Sequence, residues 1–86
     1  MKFDYSKLNG RIVTVYGTQF NFSVAMGMSE RSMSLKLNNK VPWKNTEIAK
    51  AVQLLKIKHS EIPSYFFKQL VHVSWTKVWD VLQVGA

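Results

Sequence analysis

Apolar positions recur along this chain at helical spacing, in short blocks that are each closed by a glycine, a proline or an asparagine pair. Leu8, Ile12, Val15 and Tyr16 put an apolar face on a first helix over residues 5–16, which Gly17 ends. Thr18 is a good N-cap for a second helix over residues 19–26, with Phe22 and Met26 facing a core. Gly27 stops that helix because it is free to take positive φ. Ser29 caps a third helix over residues 30–38, with Glu30 in the first turn where the helix dipole favours negative charge. Asn38, Asn39, Lys40 and Pro42 end it. Asn45 or Thr46 caps a fourth helix, with Glu47 in its first turn and Ile48, Ala51, Val52 and Leu55 on one face. Pro63, whose missing N–H is harmless at a helix start, opens a fifth segment over residues 64–67. The expected fold is all-α, with five short helices.

Residues 68–86 read two ways. Val71, Val73 and Trp75 alternate as in a strand, whereas Val71, Trp75, Val78, Trp79 and Leu82 fall on one stripe of a helix. The preferred reading is an extended piece near 70–75 followed by a helix. The chain thus divides into a helical domain over residues 1–67 and a tail over 68–86. The tail's apolar positions suit dimerisation, a partner, or the protein's own core.

Composition narrows the class. At 86 residues, with 47% hydrophobic and 20% charged residues, the chain is one small globular domain. It has no cysteine, so neither a disulfide nor a thiolate zinc site is available. His59 and His72 are too far apart for a metal pair at helix spacing, and the five acidic residues are scattered. Serines are abundant without a matching His or Asp arrangement, so a non-enzymatic protein with no metal or cofactor is expected. No apolar run approaches the ~18 residues of a membrane span, and the N-terminus lacks a signal-peptide core. A soluble, cytoplasmic protein away from membranes is the expectation. Twelve Lys and Arg against five Asp and Glu leave a net charge of +7. That favours a polyanionic partner such as nucleic acid, but many small domains are simply basic.

Arrangement decides more than charge. From Thr18 to Lys40 the residue types fall where a helix-turn-helix needs them. Ser23 is small where two helices would cross closely, Gly27 makes the turn, and Met28 fills the apolar space beneath it. Ser29 caps the next helix and Met33 anchors it.

These residues carry a resemblance. FDYSKLNGRI in the first helix, YGTQ before the second, GMSERSMSLKLNNKVPW, and the later EIAKAVQLL and EIPSYFF are similar to small phage helix-turn-helix regulators. The type is lambda-repressor-like, nearest to Cro-like and "modulator of repression" proteins of phages of Gram-positive bacteria. The resemblance covers roughly residues 3–67 and not the tail. It implies a role in the switch between lysogeny and lysis in a bacterial host. Three departures stand out. The usual Asn-Gly-Lys turn is Asn38-Asn39-Lys40, which survives because Asn tolerates left-handed geometry. Lys36 holds a position that is often apolar, so Leu37 is expected in the core with the Lys36 stem along its edge. Phe20 and Val24 stand where the family pattern is usually polar.

With Met33 and Leu37 inward, Arg31, Ser34, Leu35 and Asn38 lie on the opposite face of the third helix. If that face enters the major groove of operator DNA, Arg31 bonds guanine O6 and N7 through two donors. Ser32 and Ser34 reach bases or phosphate, and Leu35 meets thymine methyl groups. Glu30 accepts from a cytosine amino group or serves only the helix dipole. By resemblance Gln19 contacts a phosphate, while Asn38, Lys40 and Lys44 are placed for backbone contacts that set register. Two functions follow. One is a Cro-like regulator that binds operator DNA, often as a homodimer. The other is a modulator or antirepressor that binds the phage repressor through Phe20, Val24 and Leu35 and has little DNA affinity of its own. Against the second, Phe20 packs instead on Tyr5 or Phe3.

Overall fold

The structure, a computed structural model, describes residues 2–69. Helices α1 (Ser6–Tyr16), α2 (Gln19–Met26), α3 (Glu30–Leu37) and α4 (Asn45–Leu54) are followed by a 3₁₀ turn at His59–Glu61 and by α5 (Ile62–Phe66). Among the described residues the fold is all-α with five short helices, as expected. Among the described residues, extended pairing amounts to one isolated antiparallel bridge between Phe3 and Gln69.

Local chemistry sets the boundaries. The Asn21 N–H donates to Thr18 Oγ1 (3.1 Å), and the Ser32 N–H donates to Ser29 Oγ (3.1 Å), so both expected caps are made. Gly27 takes the left-handed conformation at φ 74°, which lets the chain turn sharply from α2 into α3. The start of α4 differs from expectation. Neither Asn45 nor Thr46 caps it; Lys44 holds the cap position, and the Glu47 carboxylate reaches back to accept its N–H (2.8 Å). The glutamate at the third helical position thereby satisfies the N–H of the cap residue itself, the reverse half of a capping box. The fifth helix begins earlier than expected, at Ile62, with Pro63 inside its first turn.

Helix α2 is central and packs against α1, α3 and α4. Its Phe22 and Met26 are buried with Leu8 and Ile12 of α1, Met33 of α3, and Ala51 and Leu55 at the end of α4. Ser23 is buried too, and its hydroxyl donates to the Phe20 carbonyl (2.6 Å), so the close crossing leaves no unpaired polar group. Val15 departs from the expected core stripe: it is exposed, and Tyr16 instead lays its ring 5.4 Å from that of Phe22. Helix C-termini are finished by long basic side chains. Arg11 Nε donates to the Leu55 carbonyl (2.8 Å), and Lys50 Nζ donates to the Met26 carbonyl (3.1 Å).

A second, aromatic cluster ties residues 3–5 and 66–67 to the loop after α3. Trp43 lies 6.4 Å from the Tyr5 ring and 5.2 Å from the Phe66 ring, a wider anchorage than packing on α4 alone. Phe3 meets Phe67 edge-on at 5.9 Å. The backbone beneath is clamped. Asn39 sits at φ 61°, and its side-chain amide pairs with Phe3 in both directions. The Phe3 N–H donates to Asn39 Oδ1, and Asn39 Nδ2 donates to the Phe3 carbonyl, each at 2.8 Å. The Asp4 N–H donates to the Lys68 carbonyl (2.7 Å). The asparagine that replaces the usual glycine therefore keeps the turn and adds two long-range bonds.

That clamp is testable. Asn39→Gly retains the backbone conformation and loses both bonds, so it should cost about 1–2 kcal/mol in chemical denaturation. Asn39→Ala should cost more, because a left-handed alanine adds roughly 1 kcal/mol of strain. A glycine variant as stable as the parent would mean that the paired amide contributes nothing.

Candidate functional site

The outward face of α3 is set by what the helix turns inward. Met33 and Leu37 are buried, and so is Lys36, at 5% exposure. The expectation of a lysine stem lying along the edge is corrected here, because the whole side chain enters the interior. Its Nζ stands 2.9 Å from Glu47 Oε1 and donates to the Pro42 carbonyl (3.1 Å). Burial pushes the Glu47 carboxyl upward, but the Lys44 N–H and the Lys36 ammonium outweigh it and hold it below the ordinary value of 4.5. The ion pair thus bolts α3 to the first turn of α4 and fixes the rotation of α3 about its axis.

With that rotation, Gln19 from the start of α2 joins Glu30, Arg31, Ser34 and Leu35 around one open depression. Five of the residues singled out from the sequence are brought together. Glu30 and Arg31 are exposed, Leu35 is half-buried, and no ion pair among the described residues holds either charge. Ser32 is half-buried, and its hydroxyl accepts from Ser29 Oγ (3.0 Å). Asn38 folds back on α3, donating to the Ser34 carbonyl (2.8 Å) and Ser34 Oγ (3.3 Å), so its amide is already engaged. Lys40 and Lys44 are exposed on the connection to α4. On the outer side of α2, Phe20 and Val24 are 55% and 62% exposed, one turn apart. Phe20 does not stack on Tyr5 or Phe3, whose rings pack with Trp43 and Phe67, so the alternative of a covered Phe20 is set aside.

Charge is less concentrated here than composition suggests. Lys7 lies 4.5 Å over the Tyr65 ring, Lys68 stands 3.8 Å from Asp4, and Arg11, Lys36 and Lys50 are spent on carbonyls and Glu47. The outer face of α3 itself carries one arginine and one glutamate. Sequence reasoning missed the Lys36–Glu47 pair, although a lone lysine at an otherwise apolar position was a signal for it. No group of three or more His, Cys, Asp or Glu among the described residues is placed to hold a metal. No described helix is long and apolar enough to cross a membrane. His59 is exposed, whereas His72, Trp75, Trp79 and the strand-or-helix question for the tail lie outside the described residues.

Comparison with known proteins adds three findings. A family profile described as "Protein of unknown function (DUF739)" matches residues 1–69. The fold is similar to the solution structure of the modulator of repression of the temperate bacteriophage TP901-1 from Lactococcus lactis. The two share 56% identity and a TM-score of 0.71, over 84% of this chain and 97% of that one. No curated protein matches. The resemblance to regulators of phages of Gram-positive bacteria is thereby shown, and neither the relative nor the described residues point to catalysis.

The bolt beneath the site has an asymmetric signature. Glu47→Ala strands a buried ammonium and removes the N–H acceptor of α4, and should cost roughly 3 kcal/mol or more. Lys36→Met leaves a partly solvated carboxylate still bound to the Lys44 N–H, and should stay within about 1 kcal/mol of the parent. Because the folded Glu47 titrates below its ordinary value, its contribution is complete above 4.5 and is lost as pH falls through the folded value. Denaturation midpoints from neutral pH into that acid range should fall less steeply for Lys36→Met than for the parent. Equal slopes would detach the acid sensitivity from this pair.

Proposed function

The chain belongs to the DUF739 family of proteins of unknown function, and from that premise we propose that it is a phage modulator of repression. On this reading it acts by binding the phage repressor protein and has little operator affinity of its own. The observation that carries the reading is the character of the outer α2–α3 surface. Phe20 and Val24 are exposed apolar side chains, Leu35 is half-buried on α3, and the adjacent Glu30 and Arg31 offset each other in charge. Interface centres are poor in net charge and rich in aromatic anchors. A surface that grips a phosphate backbone needs clustered lysines and arginines. The likeness to a modulator of repression supports the same choice. Phe20, Val24 and Leu35 are the anchors, with Gln19, Glu30 and Arg31 around them.

A second reading rests on Arg31, exposed in the first half of α3 with no ion pair among the described residues. In that reading Arg31 reads guanine, Ser32 and Ser34 support it, and Gln19, Asn38, Lys40 and Lys44 contact the phosphate backbone of operator DNA.

Titrating the repressor of the same phage and its operator duplex separately distinguishes the two. Phe20→Glu should leave helix content unchanged and weaken repressor binding about 30-fold or more, the loss expected of an interface anchor. Arg31→Ala should have little effect on DNA, because specific binding is weak to begin with. Tight operator binding that loses roughly 1–3 kcal/mol at one base pair in Arg31→Ala, without repressor binding, would replace the proposal with the second reading.

A further inference from the structure

Where α4 ends, a corner of the molecule gathers positive charge that no acid among the described residues answers. Lys56 and Lys58 are exposed there, with buried Ile57 between them in the chain. The chain is extended at Lys58, so the two lie no more than about 7 Å apart along the backbone. Arg11 of α1 reaches the same corner. Its Nε donates to the Leu55 carbonyl (2.8 Å), in the peptide that joins Leu55 to Lys56. A carbonyl takes one N–H from the guanidinium and leaves its charge in place. The acids of the described residues sit elsewhere: Asp4 faces Lys68, Glu47 faces Lys36, Glu61 faces Lys7, and Glu30 is on α3.

Two features separate this corner from ordinary basic surface. Lys56 holds φ at 54°, in the left-handed region where glycine or asparagine is the usual choice. Glycine would close the turn after α4 with less strain, so the lysine is kept at a cost to the fold. One cation would answer the half charge of the helix dipole, and Arg11, Lys56 and Lys58 are all gathered there. The second feature is what the corner lacks. Its apolar neighbours Leu55 and Ile57 are buried, which leaves charge without an anchor. A protein interface needs aromatic or aliphatic anchors, and a single-stranded nucleic acid needs rings on which bases stack. Charge with neither fits the phosphates of a duplex.

We infer that Arg11, Lys56 and Lys58 form a contact for the phosphate backbone of duplex DNA, independent of base sequence. It lies on α1 and the end of α4, apart from the α2–α3 residues proposed to bind the repressor, and does not rest on that reading. The contact gives the protein a salt-sensitive hold on DNA of any sequence, which raises its concentration wherever a repressor is bound. It does not read an operator.

Binding of the full chain to a labelled duplex of arbitrary sequence, measured between ~50 and ~200 mM salt, tests it. The expected result is weak binding whose logarithm falls linearly with the logarithm of the salt concentration. Lys56→Gly and Lys58→Ala should each lower that slope by about 1. Lys56→Gly should at the same time raise the denaturation midpoint, because glycine relieves the left-handed strain. Weaker binding by a more stable protein cannot come from unfolding. Phe20→Glu should leave the slope unchanged, so a failure of the repressor reading would leave this result intact. Slopes that fall in Arg31→Ala and Lys40→Ala, but not in Lys56→Gly and Lys58→Ala, would overturn the inference and put the DNA contact on the α3 side. Slopes unchanged in all four, or a single strand bound as tightly as the duplex, would overturn it too.

Discussion

A buried ammonium governs this small fold. Lys36 is taken almost wholly out of water, and that is tolerable only where Glu47 and the Pro42 carbonyl both meet it. Met33 and Leu37 would accept several rotations of α3 over the core, since apolar packing is forgiving of small slips. The ion pair accepts one. By turning Lys36 inward it turns Arg31 and Leu35 outward, and through the Lys44 N–H it also decides where α4 begins. The geometry of the exposed face is thus set from beneath, by a bond that touches no partner.

The same economy of charge bears on function. A net charge of +7 on a helix-turn-helix invites a reading in terms of DNA, and the count alone supports it. The structure redistributes that charge. Several of the basic side chains cap helix ends, lie over a ring or pair with an acid, and α3 is left with balanced charge beside half-buried Leu35. A scaffold with the shape of a DNA reader has, on this account, been refitted for contact with another protein. The exposed phenylalanine and valine on α2 are what the proposed function rests on, at positions where the wider family is usually polar.

Helix positions and the two side-chain caps were legible in the sequence because they rest on local chemistry: Thr18, Gly27 and Ser29 act within three or four residues of themselves. The outer face of α3 was legible in outline for the same reason, since Met33 and Leu37 mark which side turns inward, while the rotation itself is fixed by Lys36 and Glu47. Long-range bonds were not legible. Nothing local announces that Asn39 pairs with Phe3 thirty-six residues away, or that Lys36 finds Glu47 in the next helix. The misplaced cap of α4 belongs with these, because the Glu47 carboxylate that accepts the Lys44 N–H is also the long-range partner of Lys36. Val15 was misread because a helical stripe has edges, and Tyr16 took the place against Phe22.

The pairing of Phe3 with both Asn39 and Gln69 also constrains the order in which the chain settles. The first residues made on the ribosome wait for partners made in the middle of the chain and near its end. Helices α1 to α3 have neighbours close in sequence and form their contacts early, as low contact order favours. The extreme N-terminus is different: Phe3 has Asn39 as an earlier partner, but its bridge to Gln69 closes only after residue 69 has emerged. Within residues 2–69, the bridge that fastens the beginning of the chain is therefore among the last contacts that synthesis makes available.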